Sequence, residues 1–189
     1  TRMQALVDKL GERLAIERAG TRLYEALIGK VRLRSDEVPD LSVATLERFR
    51  DEEAEHFAML AAALTELGAD PTAQTPCADL AGIEGMGLLK AVVDPRTSVA
   101  QSLHAVLAAE LVDDSGWELL VAMTRESGHD ELAVRFEQAV RQEAVHLQTI
   151  KEWFTAASMD TARVVKQGSA AAPDPGARTP KERKGRSAH

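Results

Sequence analysis

The stretch R141-Q-E-A-V-H-L-Q-T-I150 decides how this chain folds. Its apolar spacing is helical, and Glu143 and His146 fall on the line that Phe136, Ala139 and Ile150 draw. A spacing of three places both side chains on one helix face. That face carries the core-forming residues, so a carboxylate and an imidazole point to where leucines belong. D51-E-E-A-E-H-F-A-M-L60 repeats the pattern with Glu53 and His56.

Four long amphipathic segments follow from the same periodicity. The first is predicted over 2–34, with Leu6, Leu10, Leu14, Glu17, Tyr24, Ile28 and Val31 on its stripe. The second is predicted over 41–67, with Leu46, Phe49, Glu53, His56, Leu60, Leu64 and Leu67 on the stripe and Asp40 as its cap. The third begins near Pro95 and ends at Ser127-Gly128, along Val99, Leu103, Val106, Glu110, Asp113, Trp117 and Leu120. The fourth spans 129–158 along Leu132, Phe136, Ala139, Glu143, His146, Ile150 and Trp153. Residues 69–95 read as a long irregular connection, because Pro71, Pro76, Gly82, Gly85 and Gly87 interrupt it, with one short helix near 86–93. Beyond about 160 the chain is rich in Pro, Gly, Ala and basic residues, and a flexible tail over 161–189 is expected. The fold class is therefore all-α: one antiparallel four-helix bundle over 1–160 with a long crossover between its second and third helices.

Composition agrees. The 189 residues are 44% hydrophobic but only 4% aromatic, and helix formers dominate. Net charge is −7, while the segment from Asp160 onward holds seven basic and three acidic residues, a net +4 that leaves −11 on the body. An acidic body attracts cations and argues against a nucleic-acid partner. Cys77 is the single cysteine, so neither an internal disulfide nor a thiolate metal site is available. No apolar run is long enough for a membrane span and no secretory signal is legible, so a reducing, cytoplasmic compartment is expected.

The halves of the chain repeat. Glu17 precedes Glu53 and His56 much as Glu110 precedes Glu143 and His146. Tyr24 follows Glu17, and Trp117 follows Glu110, by the same seven residues. With five histidines, about half of one Glu-x-x-His match arises by chance, so a single match means little. Two matches on core stripes, with two more stripe glutamates in matching order, point to a metal site. Bare carboxylates in an apolar core are severely destabilising, and no Lys or Arg is expected on these stripes to pair with them. Two divalent cations would compensate four glutamates. Oxygen and imidazole donors suit iron or manganese, with zinc an alternative occupant.

Neighbouring residues have plainer readings. Glu52 and Glu55 fall off the stripe and are expected on the solvated face. Asp113, a turn after Glu110, is favoured over Asp114 as the inward acid. His104 and His129 read as ordinary, and Tyr24 reads either as a core residue with a satisfied hydroxyl or as a group working beside the metals.

These motifs resemble the ferritin-like superfamily of ferritin, bacterioferritin and rubrerythrin. The residues that carry the resemblance are Glu17 and Tyr24 in IERAGTRLY, Glu53 and His56 in EEAEH, Glu110 in LAAELVDD, and Glu143 and His146 in QEAVH. It covers about residues 3–158. The resemblance implies two Fe ions, or alternatively two Mn ions, bridged by Glu53 and Glu143. Glu17 and His56 would complete one site and Glu110 and His146 the other, with Asp113 an additional ligand and Tyr24 a catalytic residue. It implies a ferroxidase or peroxide-reducing oxidoreductase in iron handling or oxidative-stress defence, acting on O2 or hydrogen peroxide. The alternatives are manganese-dependent peroxide disproportionation and a non-catalytic iron-binding or assembly protein. The chain lacks the Cys-x-x-Cys module that rubrerythrins carry, so an electron donor would be a separate protein. Spare apolar positions on the four helices leave room for a homodimer or higher oligomer.

Overall fold

Five helices and no strand account for the described residues of a computed structural model, which covers 2–38 and 40–170 and gives side-chain surroundings up to residue 160. The helices are α1 (Arg2–Leu33), α2 (Val43–Glu66), α3 (Pro76–Val93), α4 (Val99–Glu126) and α5 (Asp130–Ala170). α1 packs along α2, α3 and α4, α4 packs along α5 and touches α3, and α2 meets α5. Among the described residues no helix is long and apolar enough to cross a membrane.

The helix ends have local causes. Ser42, rather than the expected Asp40, caps α2, its Oγ accepting from the Thr45 amide at 3.2 Å. α4 begins at Val99 and not near Pro95, because Ser98 and Gln101 form a reciprocal capping box there. α2 and α4 both end on a glycine in the left-handed region, Gly68 at φ 76° and Gly128 at φ 83°. In each case the next amide reaches back to close the last turn, Ala69 to the Leu64 carbonyl and His129 to that of Thr124.

The connection after α2 departs from expectation. Pro76 begins a helix instead of interrupting one: it stands at the first turn, behind the Thr75 cap, where a missing amide costs nothing. The glycines that read as breaks lie inside this helix. Gly85 lets α3 approach α1, since a Cβ there would stand 2.7 Å from the Ala19 Cβ. α5 also continues past the expected end near 158 to Ala170. The rest of the expected tail, 171–189, lies outside the described residues.

The apolar core has two large parts, beside a small cluster of Ala15, Ala78 and Ala81 between α1 and α3. One contains Leu23, Ile28, Leu46, Phe49, Val106 and Ile150, and the other Leu10, Leu14, Leu60, Trp117, Phe136 and Ala139. On every long helix the polar residues singled out by sequence lie between the two: Glu17, Glu53 with His56, Glu110 with Asp113, and Glu143 with His146. A buried polar layer thus crosses the middle of the molecule. Apolar side chains also remain exposed on α3, with Leu80 at 63%, Ile83 at 61% and Met86 at 55%.

Gly85→Val drives two branched methyls into the α1–α3 contact. It is expected to cost about 1–3 kcal/mol through overpacking, read as a lower denaturation midpoint with an unchanged denaturant slope.

Candidate metal centre

All seven residues that the sequence singles out as ligands are buried and converge: Glu17, Glu53, His56, Glu110, Asp113, Glu143 and His146. They form three overlapping groups of donor atoms, each within 4.8 Å: Glu53, Glu110, Glu143 and His146; Glu17, His56 and Glu143; and Glu17, Glu53, Asp113 and Glu143. Glu143 belongs to all three and Glu53 to two.

The orientation of the rings says more than their proximity. His146 Nε2 lies 2.6 Å from Glu52 Oε2, and His56 Nε2 lies 3.1 Å from Gln142 Oε1. A carboxylate oxygen and an amide oxygen only accept, so in both neutral rings Nε2 carries the hydrogen. Each Nδ1 is left with a lone pair that faces the cluster. This is the arrangement that fixes a metal-ligating imidazole, with the outer nitrogen held and the inner one free.

The carboxylates follow the same plan. Glu17 Oε1 accepts from Trp117 Nε1 at 2.9 Å, and Glu110 Oε1 accepts from the Tyr24 hydroxyl at 2.6 Å. Their other oxygens have no hydrogen-bond partner, nor do either oxygen of Glu143 or Nδ1 of either histidine. Glu143 Oε1 stands 2.8 Å from His56 Nδ1, and Oε2 stands 3.2 Å from His146 Nδ1. Two donor atoms each about 2.1 Å from one cation and at right angles are about 3 Å apart, so these separations suit ligands of shared ions. Buried polar atoms normally find a partner, and this many orphans facing one another require a cation or protons.

Charge sets how many cations. Contrary to the expectation from sequence, an arginine does lie at the cluster. Arg13 is 1% exposed, donates from Nη2 to Glu17 Oε1 at 3.3 Å, and is ion-paired to Asp113. Gly116 makes room for it, since a Cβ at that position would meet Arg13 Nη1 at 2.0 Å. Five buried carboxylates (Glu17, Glu53, Glu110, Asp113, Glu143) against one guanidinium leave −4. Two divalent cations would cancel that charge.

Without cations, protons take their place. Burial, then repulsion from Glu143 and Glu17, pushes Glu53 well above its ordinary value. Burial and then Glu143 push Glu110 up to about 8. Burial opposes charge on the histidines, but contact with the carboxylates, Glu143 first, outweighs it and carries His146 to about 11 and His56 to about 10. Glu143 goes the other way: burial raises it, and the two imidazoles together hold it down at about 2.

Other residues resolve simply. Asp113 is the inward acid, with Asp114 only half-buried. Glu55 is exposed, as expected, but Glu52 is drawn in against His146 and is not a solvated-face residue. His104 is exposed against the Phe154 ring, and His129 is half-buried at the start of α5. Sequence reasoning missed Arg13, Glu52 and Gln142. The repeat did hold a signal for two of them, because Glu52 and Gln142 each immediately precede a core glutamate. Gly116, a glycine in mid-helix with no turn, was the signal for Arg13. Gly20 is a further omission: a Cβ there would strike Glu53 Oε2 at 2.0 Å, so only glycine leaves room for that carboxylate. Comparison of the chain with family models, with curated proteins and with solved structures found no match.

In chelator, the melting temperature should fall as pH rises. Glu110 is raised from 4.5 to about 8 and holds its proton in the folded state over that window, so its stabilisation disappears as pH climbs through it. The raised histidines add stability below 6.5 that is lost toward about 10, in the same direction. A loss on the order of 2–4 kcal/mol between pH 5 and 8 is expected, and saturating divalent metal should abolish it. A flat metal-free profile would contradict the buried, protonated cluster.

Proposed function

We propose that the chain is a dinuclear non-haem metal protein with a ferritin-like four-helix bundle formed by α1, α2, α4 and α5, α3 lying in the crossover. The observation that carries the reading is the set of partnerless acceptor atoms. Oxygens of Glu17, Glu110 and Glu143 and both inward Nδ1 atoms face one another while the outer nitrogen of each ring is tied down. Glu143, with one oxygen toward each histidine, suits a bridge, and Glu53, which shares groups on both sides, suits the second. Glu17 with His56 and Glu110 with His146 would be terminal ligands. Asp113 is committed to Arg13 and serves better as a charge partner than as a ligand.

The donor set is oxygen and nitrogen without sulfur, which favours iron or manganese. Bound as Fe(II), the pair would supply two electrons, one from each ion, to O2 or hydrogen peroxide. The resulting activity is ferroxidation or peroxide reduction in a cytoplasmic setting, with electrons returned by a separate donor protein. The chain's own residues contribute in specific ways. Tyr24 is fully buried and hydrogen-bonded to Glu110, and its phenol is kept protonated by burial and by the Glu110 charge. It is thus a hydrogen donor beside the ions. The apolar clusters on either side of the layer exclude water. Manganese-dependent peroxide disproportionation fits the same donor atoms, and metal preference separates the two.

Anaerobic reconstitution followed by metal analysis is the test. About two ions per native chain are expected, and almost none in Glu53→Ala/Glu143→Ala. The iron form should consume O2 or peroxide faster than free Fe(II). Tyr24→Phe should keep both ions and slow that consumption about 10-fold or more, as loss of a positioned hydrogen-bond donor does. Metal-free native protein after reconstitution would refute the reading, and iron-loaded protein no faster than free Fe(II) would leave metal binding without turnover.

A further inference from the structure

Two hollows of opposite character lie on different sides of the cluster, and one of them is lined by its carboxylates. Between α2 and α5 a polar one of about 210 Å³ is lined by Arg48, Glu52, Gln138, Arg141, Gln142 and Val145. It lies over Glu52 and Gln142, the residues that hold the outer nitrogens of the histidines. Between α1, α3 and α4 a larger one of about 390 Å³ is walled by apolar residues, among them Ile16, Leu23, Leu88 and Val112. Glu53, Glu110 and Asp113 also line it. These are the only buried polar side chains on its wall; the remaining charged residue there, Glu84, is exposed.

We propose that the α1–α3–α4 cavity binds an uncharged, apolar organic molecule beside the carboxylates of the metal centre. Three features define that ligand. The cavity is two to three times the ~150 Å³ that accommodates benzene, so it takes a two-ring aromatic or a chain of about ten carbons. Its walls offer dispersion contacts and almost no hydrogen bonds, which suits neither a hydrated ion nor peroxide. Its charged lining residues are all carboxylates, with no Lys or Arg among them, so an anionic headgroup finds no cation on the wall to pair with. The inference deepens the dinuclear reading by placing an organic molecule next to the ions, and binding itself requires no metal.

α3 builds this site. Gly20 and Gly87 lie on its wall, and a Cβ at Gly87 meets nothing within 4 Å. Larger side chains at 87 therefore enter open space without disturbing a packed contact.

The test uses the full chain, both metal-free and loaded with Co(II), and the neutral fluorophore N-phenyl-1-naphthylamine. One saturable site per chain is expected in both forms, with 1-decanol displacing the probe at least tenfold better than decanoate. Gly87→Phe, and Gly87→Leu in case the larger residue disturbs folding, should weaken probe binding at least tenfold while metal content stays unchanged and the melting temperature does not fall. Ile83→Gln, on the exposed outer face of α3, should leave binding intact. Absence of saturable binding overturns the proposal. So does binding that both Gly87 variants leave unchanged, or that Ile83→Gln abolishes, since the probe would then sit on the outer apolar face or between two copies of the chain. Failure to take up Co(II) with probe binding intact would count against the dinuclear reading alone.

Discussion

Five carboxylates and one guanidinium share a buried layer in the middle of this protein, and the surrounding structure is organised by the need to hold them. Like charges at such distances in a low-dielectric interior repel by several kcal/mol per pair. An apolar core of the same shape would be cheaper to fold. The layer therefore survives only with compensation: Arg13 on one side, hydrogen-bond donors on the outer oxygens, and cations or protons at the centre. The division of the core into two apolar clusters follows directly, because each helix must interrupt its leucines at the same height.

Compensation is exchanged between the halves of the chain. Tyr24 on α1 serves Glu110 on α4, and Trp117 on α4 serves Glu17 on α1. Glu52 on α2 orients His146 on α5, and Gln142 on α5 orients His56 on α2. Apart from Arg13, which donates to Glu17 on its own helix, each of these supporting residues stands on a different helix from the group it serves. This couples formation of the site to docking of the halves, since neither half can satisfy its own polar atoms. It also explains why the outward atoms are paired and the inward ones are not: the partners arrive from neighbouring helices at the periphery of the layer, and the inward oxygens and Nδ1 atoms face one another without them.

What the sequence reveals about this arrangement depends on whether the signal is local. The stripes, the two Glu-x-x-His pairs and the glycine ends at 68 and 128 are all set by spacing along one helix, and the structure places them as that spacing predicts. The residues that were missed act across helices. Arg13 is invisible without Gly116 beside it, and Glu52 looks solvated until α5 is docked against α2. α3 was hidden for a related reason. Its glycines count against a helix by propensity, but packing of Gly85 against Ala19 of α1 offsets that cost, and no property of residues 76–93 in isolation reports the contact.

The repeat is nevertheless imperfect, and the imperfections fall where function would use them. His146 has a carboxylate behind it and His56 an amide, so the His146 ring is the more electron-rich donor. Arg13 and Asp113 stand on the Glu17 side and have no counterpart beside Glu110. With Glu52 behind His146, negative charge is concentrated toward His146, Glu110 and Tyr24, while the apolar cavity meets both sides of the cluster, at Glu110, Glu53 and Asp113. A symmetric pair of helical hairpins would present two equal halves. Here one half gathers the more basic imidazole and the phenol and the other the guanidinium, so the two halves of the centre are chemically distinct although the same motif builds both.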